Sequence, residues 1–228
     1  MPLAKHNRTF SILGILGGVI FFIGDALLFL TPNFQMETDA RMDWPTMPLW
    51  RFGASAICGI AGMVLLFFGV AAMYHALCNE EASSKIKGLW ITGAIGTSLT
   101  AFGHFAIGCW EPMQYKAMTS IGLTEEQIET VVSVQSPWIN VISGIAMILL
   151  VVQCIAYIYI ILKGIIKCPR WMAVFNNLII AAIGLLLYYV MRPFGIQGLC
   201  SGFESLGEGL MYISSFWYWT KKLKNRSI

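Results

Sequence analysis

The stretch ILGILGGVIFFIGDALLFL, residues 12–30, is apolar from end to end except for one carboxylate, Asp25. At ~1.5 Å of rise per residue it is long enough as a helix to cross a hydrocarbon core of roughly 30 Å. It reads as a membrane span, and the class of the protein turns on whether the rest of the chain agrees. Five more stretches do: residues 49–77, 89–110, 138–162, 171–191 and 199–219 are each apolar over a comparable length. Composition concurs, with 57% hydrophobic and 12% charged residues and a mean hydropathy of +0.69, whereas soluble domains carry about 25% charged residues. The expectation is an all-α, polytopic membrane protein, one domain over residues 1–228, built as a bundle of six transmembrane helices.

The opening MPLAKHNR resembles the start of a secretory leader, but the run after it is long and ends without a small-x-small cleavage site, so it is read as a true first span. Of the 15 lysines and arginines, only Arg41, Arg51, Lys116 and Arg192 fall opposite the chain ends. That asymmetry predicts both termini cytoplasmic. The net charge of +3 follows from this topology, so no nucleic-acid partner is expected. Short loops and small size suggest a bacterial inner membrane, with membrane lipids as the surroundings.

Loop 1, residues 31–48, is rich in proline and acid and should be irregular. Within 111–137, Thr124 and Gln127 form a capping box, and Ile128, Val131 and Val132 share a side. A short amphipathic helix over about 125–134 is therefore predicted on the outer surface. Cys109 and Cys200 both fall near the outer face, where a disulfide between the third and sixth spans is one expectation and two small buried thiols the other.

Charge inside the spans is where function is sought, because in hydrocarbon a polar stripe must face protein or water. Ser201, Glu204, Ser205, Glu208, Tyr212 and Ser215 recur at helical spacing in the sixth span. Thr97, Thr100, His104, Gly108 and Glu111 do so in the third, and Asn177, Gly184, Tyr188 and Arg192 in the fifth. The second offers Arg51, Ser55, Cys58 and Gly62, the fourth Asn140 and Gly144, and the first Asp25 with a Gly14–Gly18 spacing suited to close packing or to a homodimer face. Counting from the outer ends, Asp25 and His104 lie roughly 9 Å deep and Glu208 roughly 13 Å. A polar funnel opening outward is expected.

Asp25, His104, Glu204 and Glu208 are the candidate catalytic residues and, since one histidine with carboxylates suits zinc, the candidate ligands of a divalent metal. Asn140, Tyr188, Arg192, Arg51, Glu111 and Trp110 are the candidate substrate-binding residues. The favoured function is binding or converting a small amphipathic or lipid-derived molecule. A proton- or ion-coupled transporter using Asp25 and Glu208 is the alternative, and a scaffold held by a buried ionic network the second. Ser55, within GASA, is weighed as a serine nucleophile and set aside as close packing. Retinal chemistry lacks a mid-span lysine, and His75 and His104 sit toward opposite faces, which disfavours a bis-histidine haem. No CxxC, phosphate loop or HExxH occurs.

Overall fold

The computed structural model describes residues 2–31 and 43–225, in which all regular structure is helical. Glu37, Asp39 and Arg41 of the first loop lie outside the described residues. Eight α-helices follow in order: α1 Pro2–Phe29, α2 Leu49–Asn79, α3 Ser84–Phe105, α4 Glu111–Ser120, α5 Glu125–Leu162, α6 Asn177–Met191, α7 Phe203–Leu210 and α8 Tyr212–Lys224. Four helical stretches are long and apolar enough to cross a membrane: Leu3–Phe29, Leu49–Asn79, Glu125–Leu162 and Asn177–Phe194. The other two expected spans, α3 and α7–α8, are diluted by the serines, threonines, histidine, glutamates and lysines that make them informative.

Three expected boundaries differ. The surface helix over 125–134 is no separate element; it is the first part of α5, whose 38 residues run unbroken past Pro137. Proline removes one hydrogen bond but leaves the helix direction to its packing. The capping box at its start is present, with Gln127 N donating to Thr124 Oγ1 and Thr124 N to Gln127 Oε1. Likewise α3 does not end at its loop but continues through a π-helical turn, Ala106–Trp110, into α4. The sixth expected span is composite: a 3-10 segment, Gln197–Gly202, leads into α7, which passes to α8 through Met211 at helical dihedrals (φ −53°, ψ −31°).

The packing follows the small residues. α1 lies along α2, and its other side takes α7 and α8. Gly14 meets Gly69 and Tyr212, while Gly18 meets Gly209 so closely that a Cβ there would stand 2.6 Å from the Gly209 nitrogen. The glycines read as a homodimer face are thus spent inside the bundle. α3 pairs with α5, and this pair joins the rest through α2. The main core gathers Trp90, Tyr157, Tyr212, Tyr218 and Trp219, all nearly or fully buried. The Trp90 and Trp219 indoles donate to the carbonyls of Val70 and Ala72, at 3.1 and 3.0 Å, and the Tyr157 hydroxyl to that of Met172 at 2.9 Å.

At the end where the 43–48 loop and the α4–α5 turn meet, Trp44, Met47, Phe52, Tyr115, Ile128 and Val132 form a second cluster with Leu28. Two cations hold this cap. Lys116 donates to the carbonyls of Pro45 and Met47, and Arg51 to those of Leu27 and Leu30, at 2.7 and 3.0 Å. Arg51 therefore closes the C-terminal end of α1, where a cation offsets the exposed carbonyls.

Candidate functional site

Asp25 sits a turn before α1 ends. Its Oδ2 accepts from Ser205 Oγ of α7 at 2.5 Å, and its Oδ1 lies 3.2 Å from His104 Nδ1 of α3. The other imidazole nitrogen, Nε2, is 3.2 Å from Ser55 Oγ and 3.1 Å from the Ser55 carbonyl oxygen on α2. Four helices thus contribute to one chain of contacts. The imidazole occupies a slot cut for it: Phe21 packs edge-on at 4.8 Å between centroids, and a Cβ on Gly59 would overlap the ring. Two residues beyond His104 the π-helical turn begins, a local widening that recurs at functional sites.

The ring nitrogens set what this arrangement does. With a proton only on Nδ1, donated to Asp25, Nε2 accepts from the Ser55 hydroxyl. With a second proton, Nε2 donates to the Ser55 carbonyl and the imidazolium is paired with the aspartate. The ring therefore has a protein partner on each nitrogen in either protonation state. The order Asp25–His104–Ser55 matches the connectivity of a hydrolytic triad. Ser55 is 0% exposed, so its oxygen is out of a substrate's reach and its part is to seat the ring.

Beside this chain lies a cavity of about 240 Å³. Its polar wall comprises Asp25, Thr100, His104, Ser143, Glu204 and Glu208; its apolar wall includes Phe21, Leu28, Phe29, Ile107 and Met147. The floor is closed, with Asp25 and Glu208 at 8% and 2% exposure, while Ile107 and Met147 on the rim are 37% and 43% exposed. α5 and α7, which supply facing walls, share no packed interface. The exposed side chains on that side of the cavity, Ile107 and Met147, are apolar.

All four residues read as catalytic line this one cavity. The six read as substrate-binding do not. Asn140 is exposed on α5. Tyr188 is fully buried in a separate small cluster with Cys200. Arg192 is exposed in the 3-10 turn after α6, and Glu111 opens α4, outside the cavity wall. Trp110 donates from its indole to Gln135 Oε1 at 3.3 Å and lines a different, aromatic groove with Phe102, Phe105 and Trp138. Arg51 is committed to α1, as described above. Helical spacing gives each of these helices a polar face, but it does not fix which neighbour that face meets.

The cysteine bridge is corrected too. Cys109 and Cys200 are free thiols, the first against the Met113 sulfur at 3.5 Å and the second packed under Tyr188. Nor do the residues fit a divalent metal. Among the described residues no three histidine, cysteine, aspartate or glutamate side chains form a group able to hold an ion, and both nitrogens of His104 face protein partners. What sequence reading missed is Gly59 and Ser205's bond to Asp25. The spacing Ser55–Gly59–Gly62 places three small residues on one face of α2, which is the signal for a neighbouring side chain filling that groove.

An all-helical bundle with several apolar helices of spanning length, enclosing a carboxylate–histidine cavity, is compatible with a multi-pass membrane protein. Within that class, the chain belongs to the family described as DUF6796, a family of unknown function, whose model matches residues 4–222. No curated protein and no solved structure matches it.

Proposed function

We propose that the chain crosses the membrane six times, with both termini cytoplasmic, and that its cavity lies in the outer half of the bilayer. There it receives the polar end of a small amphipathic or lipid-derived molecule, which enters sideways between α5 and α7 and meets the Asp25–His104 pair as acid–base. The observation carrying this reading is the clamped imidazole, satisfied in either protonation state, on the wall of a cavity whose rim is apolar and exposed. A purely structural ion pair needs no cavity beside it. A volume of about 240 Å³ suits a head group, leaving the apolar part in lipid, since pockets that enclose whole drug-sized ligands run to roughly 300–1,000 Å³.

A photoreactive alkyl alcohol tests this directly. Cross-linking followed by peptide mass spectrometry should concentrate adducts on the Phe29, Ile107 and Met147 rim and lose them in Ser143→Trp, which puts an indole into the cavity from its α5 wall. Adducts spread evenly over the apolar surface in both proteins would overturn the reading. Reporter fusions at residues 82 and 225 should report cytoplasm, and one at 122 the outside.

A proton- or ion-coupled transporter is the second reading. It is favoured by Glu208, which extends the polar chain from Asp25 to Asn177 at the start of α6, toward the opposite end of the bundle. In liposomes, a pH gradient driving uptake that Glu208→Gln abolishes would support transport over conversion.

A further inference from the structure

The polar lining of the cavity is lopsided in a way that names its ligand. Three carboxylates, Asp25 and Glu204 and Glu208, line it, and no lysine or arginine does. Arg51 is engaged with α1 carbonyls, Arg192 stands exposed beyond α6, and the one basic side chain in the lining, His104, already faces Asp25. Asp25 and Glu204 are close enough to Glu208 for their charges to act on it. Glu208 itself is 2% exposed. Its Oε1 has only the Asn177 amide, at a long 3.4 Å, and its Oε2 has no partner. A buried carboxylate oxygen left bare in a poorly hydrated site is costly, and the cost is removed by a proton of its own while the cavity is empty or by a cation that enters and takes its place as the partner.

Of the lining hydroxyls only Ser143 has an uncommitted Oγ, and it stands on α5 across the cavity; the three nearer α7 and α3 are spent. Ser205 gives its proton to Asp25, Thr100 to the Thr97 carbonyl at 2.7 Å, and Ser201 to the Gly198 carbonyl at 2.6 Å. Each is left presenting lone pairs. The cavity therefore has acceptors in excess and few donors. A phosphate or carboxylate head group would meet like charge and find almost nothing to bind it. An alcohol brings a single proton. An ammonium brings three donors and no acceptor.

We propose that the ligand's polar end is a protonated amine: the cavity is a site for a small amphipathic amine, with Glu208 and Glu204 as its counterions and the Ile107–Met147 rim passing its alkyl chain to the lipid. The proposal rests on the amphiphile reading above and narrows it to one chemical class.

Octylamine, octanol and octanoate share one tail and differ only in the head. Titrated calorimetrically into the purified full chain in nanodiscs, with empty nanodiscs subtracted for partitioning, octylamine should bind saturably and at least about tenfold tighter than octanol, with octanoate not binding. Glu208→Gln, nearly isosteric, should weaken octylamine by at least about tenfold and leave octanol unchanged, in keeping with what truncating one partner of a buried charge pair does. Glu204→Gln, on a half-buried side chain, provides a second variant should the first fail to fold, and should weaken the amine in the same sense. Octanol binding as tightly as octylamine, octanoate binding best, or amine affinity indifferent to both glutamine variants would overturn the amine assignment while leaving an amphiphile cavity standing. Saturable binding of none of the three would overturn both.

Discussion

The molecule holds two clusters of acid between packed helices, and they are built on opposite plans. At the far end of α2 from the cavity, Glu80 has a side chain only 10% exposed, yet Lys222 and Lys167 reach its two oxygens at 3.0 and 3.3 Å, and Tyr218 donates to it at 2.6 Å. Asn79 joins by donating to Tyr218. Burial works against its charge, but these donors outweigh that and hold its pKa below the ordinary carboxylate value. Glu208, more deeply placed at 2% exposure, has one long amide contact and a bare oxygen. A carboxylate supplied with cations from its own chain fastens α8 to the end of α2; a carboxylate denied them is open to something else.

The comparison breaks most completely if the bundle that shapes the cavity is pried apart. Gly18→Leu should have the largest effect, because the new Cβ would stand 2.6 Å from the Gly209 nitrogen, backbone against backbone with no side chain to move aside. Overpacking of this kind costs about 3 kcal/mol or more when it cannot relax. The expected outcome is a protein that fails to accumulate or melts far below wild type in detergent. A Gly18→Leu protein of near-normal melting temperature would mean that α1 and α7 do not pack this closely, and the Ser205–Asp25 bond would go with them.

Next in size is the pair itself. Asp25→Ala strands both His104 Nδ1 and Ser205 Oγ, and removing one partner from a buried charged contact costs roughly 3 kcal/mol. Asp25→Asn keeps a hydrogen-bonding oxygen and should cost about half as much, while still abolishing whatever chemistry depends on the charge. The two variants sharpen the contrast between fastening and function: equal melting temperatures for Asn and Ala would mean that the His104 and Ser205 contacts contribute nothing to the fold.

How far the sequence disclosed this site depended on the kind of signal. Helical spacing put Thr100, His104 and Gly108 on one face of α3 and Glu204, Ser205 and Glu208 on one face of α7, and both faces line the cavity, because a polar stripe in an apolar helix has nowhere else to go. Asn140 stands on α5 with only Gly144 beside it, and the stripe that holds Tyr188 and Arg192 turns Tyr188 to the Cys200 cluster and leaves Arg192 exposed beyond α6, so spacing gives a face without saying which neighbour it meets. Arg51 is the instructive case. Its side chain turned to the carbonyls at the end of α1, a partner that every helix terminus offers and that no side-chain pattern announces. The continuity of α5 past Pro137 and of α3 through its π-helical turn is set by tertiary packing against the Trp44–Tyr115 cap, which residue periodicity does not encode.

The Glu80 cluster should yield less. Its lysines are 77% and 35% exposed, and pairs of that kind contribute about 1 kcal/mol or less. The sign of its pH dependence is fixed by the direction of the shift. Glu80's folded pKa lies below its unfolded value of about 4.5, so its contribution is complete above that value and is lost as pH falls through the folded one. The difference in melting temperature between wild type and Glu80→Gln should therefore be present at pH 6 and shrink as the pH falls below about 4.5. It should shrink in high salt as well. A difference that grew on acidification would reverse the assignment of Glu80 as a charged fastener.

The smallest effect is a null one with a definite meaning. Cys109 rests against Met113 and Cys200 beside Tyr188, each a free thiol with its own neighbours, so no covalent tie joins the π-helical turn after α3 to the 3-10 segment before α7. Reductant should leave the melting temperature of the purified protein unchanged, and Cys109→Ser should differ from wild type by no more than about 0.5 kcal/mol, as expected of a part-exposed position. A native bridge would behave otherwise, since closing a loop of this length stabilises by several kcal/mol, roughly 2–5. A fall of many degrees on reduction, matched by Cys109→Ser and by Cys200→Ser alike, would require the two thiols to meet. That in turn would draw the Cys200 turn off Tyr188 and across the Ser201–Glu204 wall of the cavity, removing the acceptor-rich lining on which the contrast with Glu80 depends.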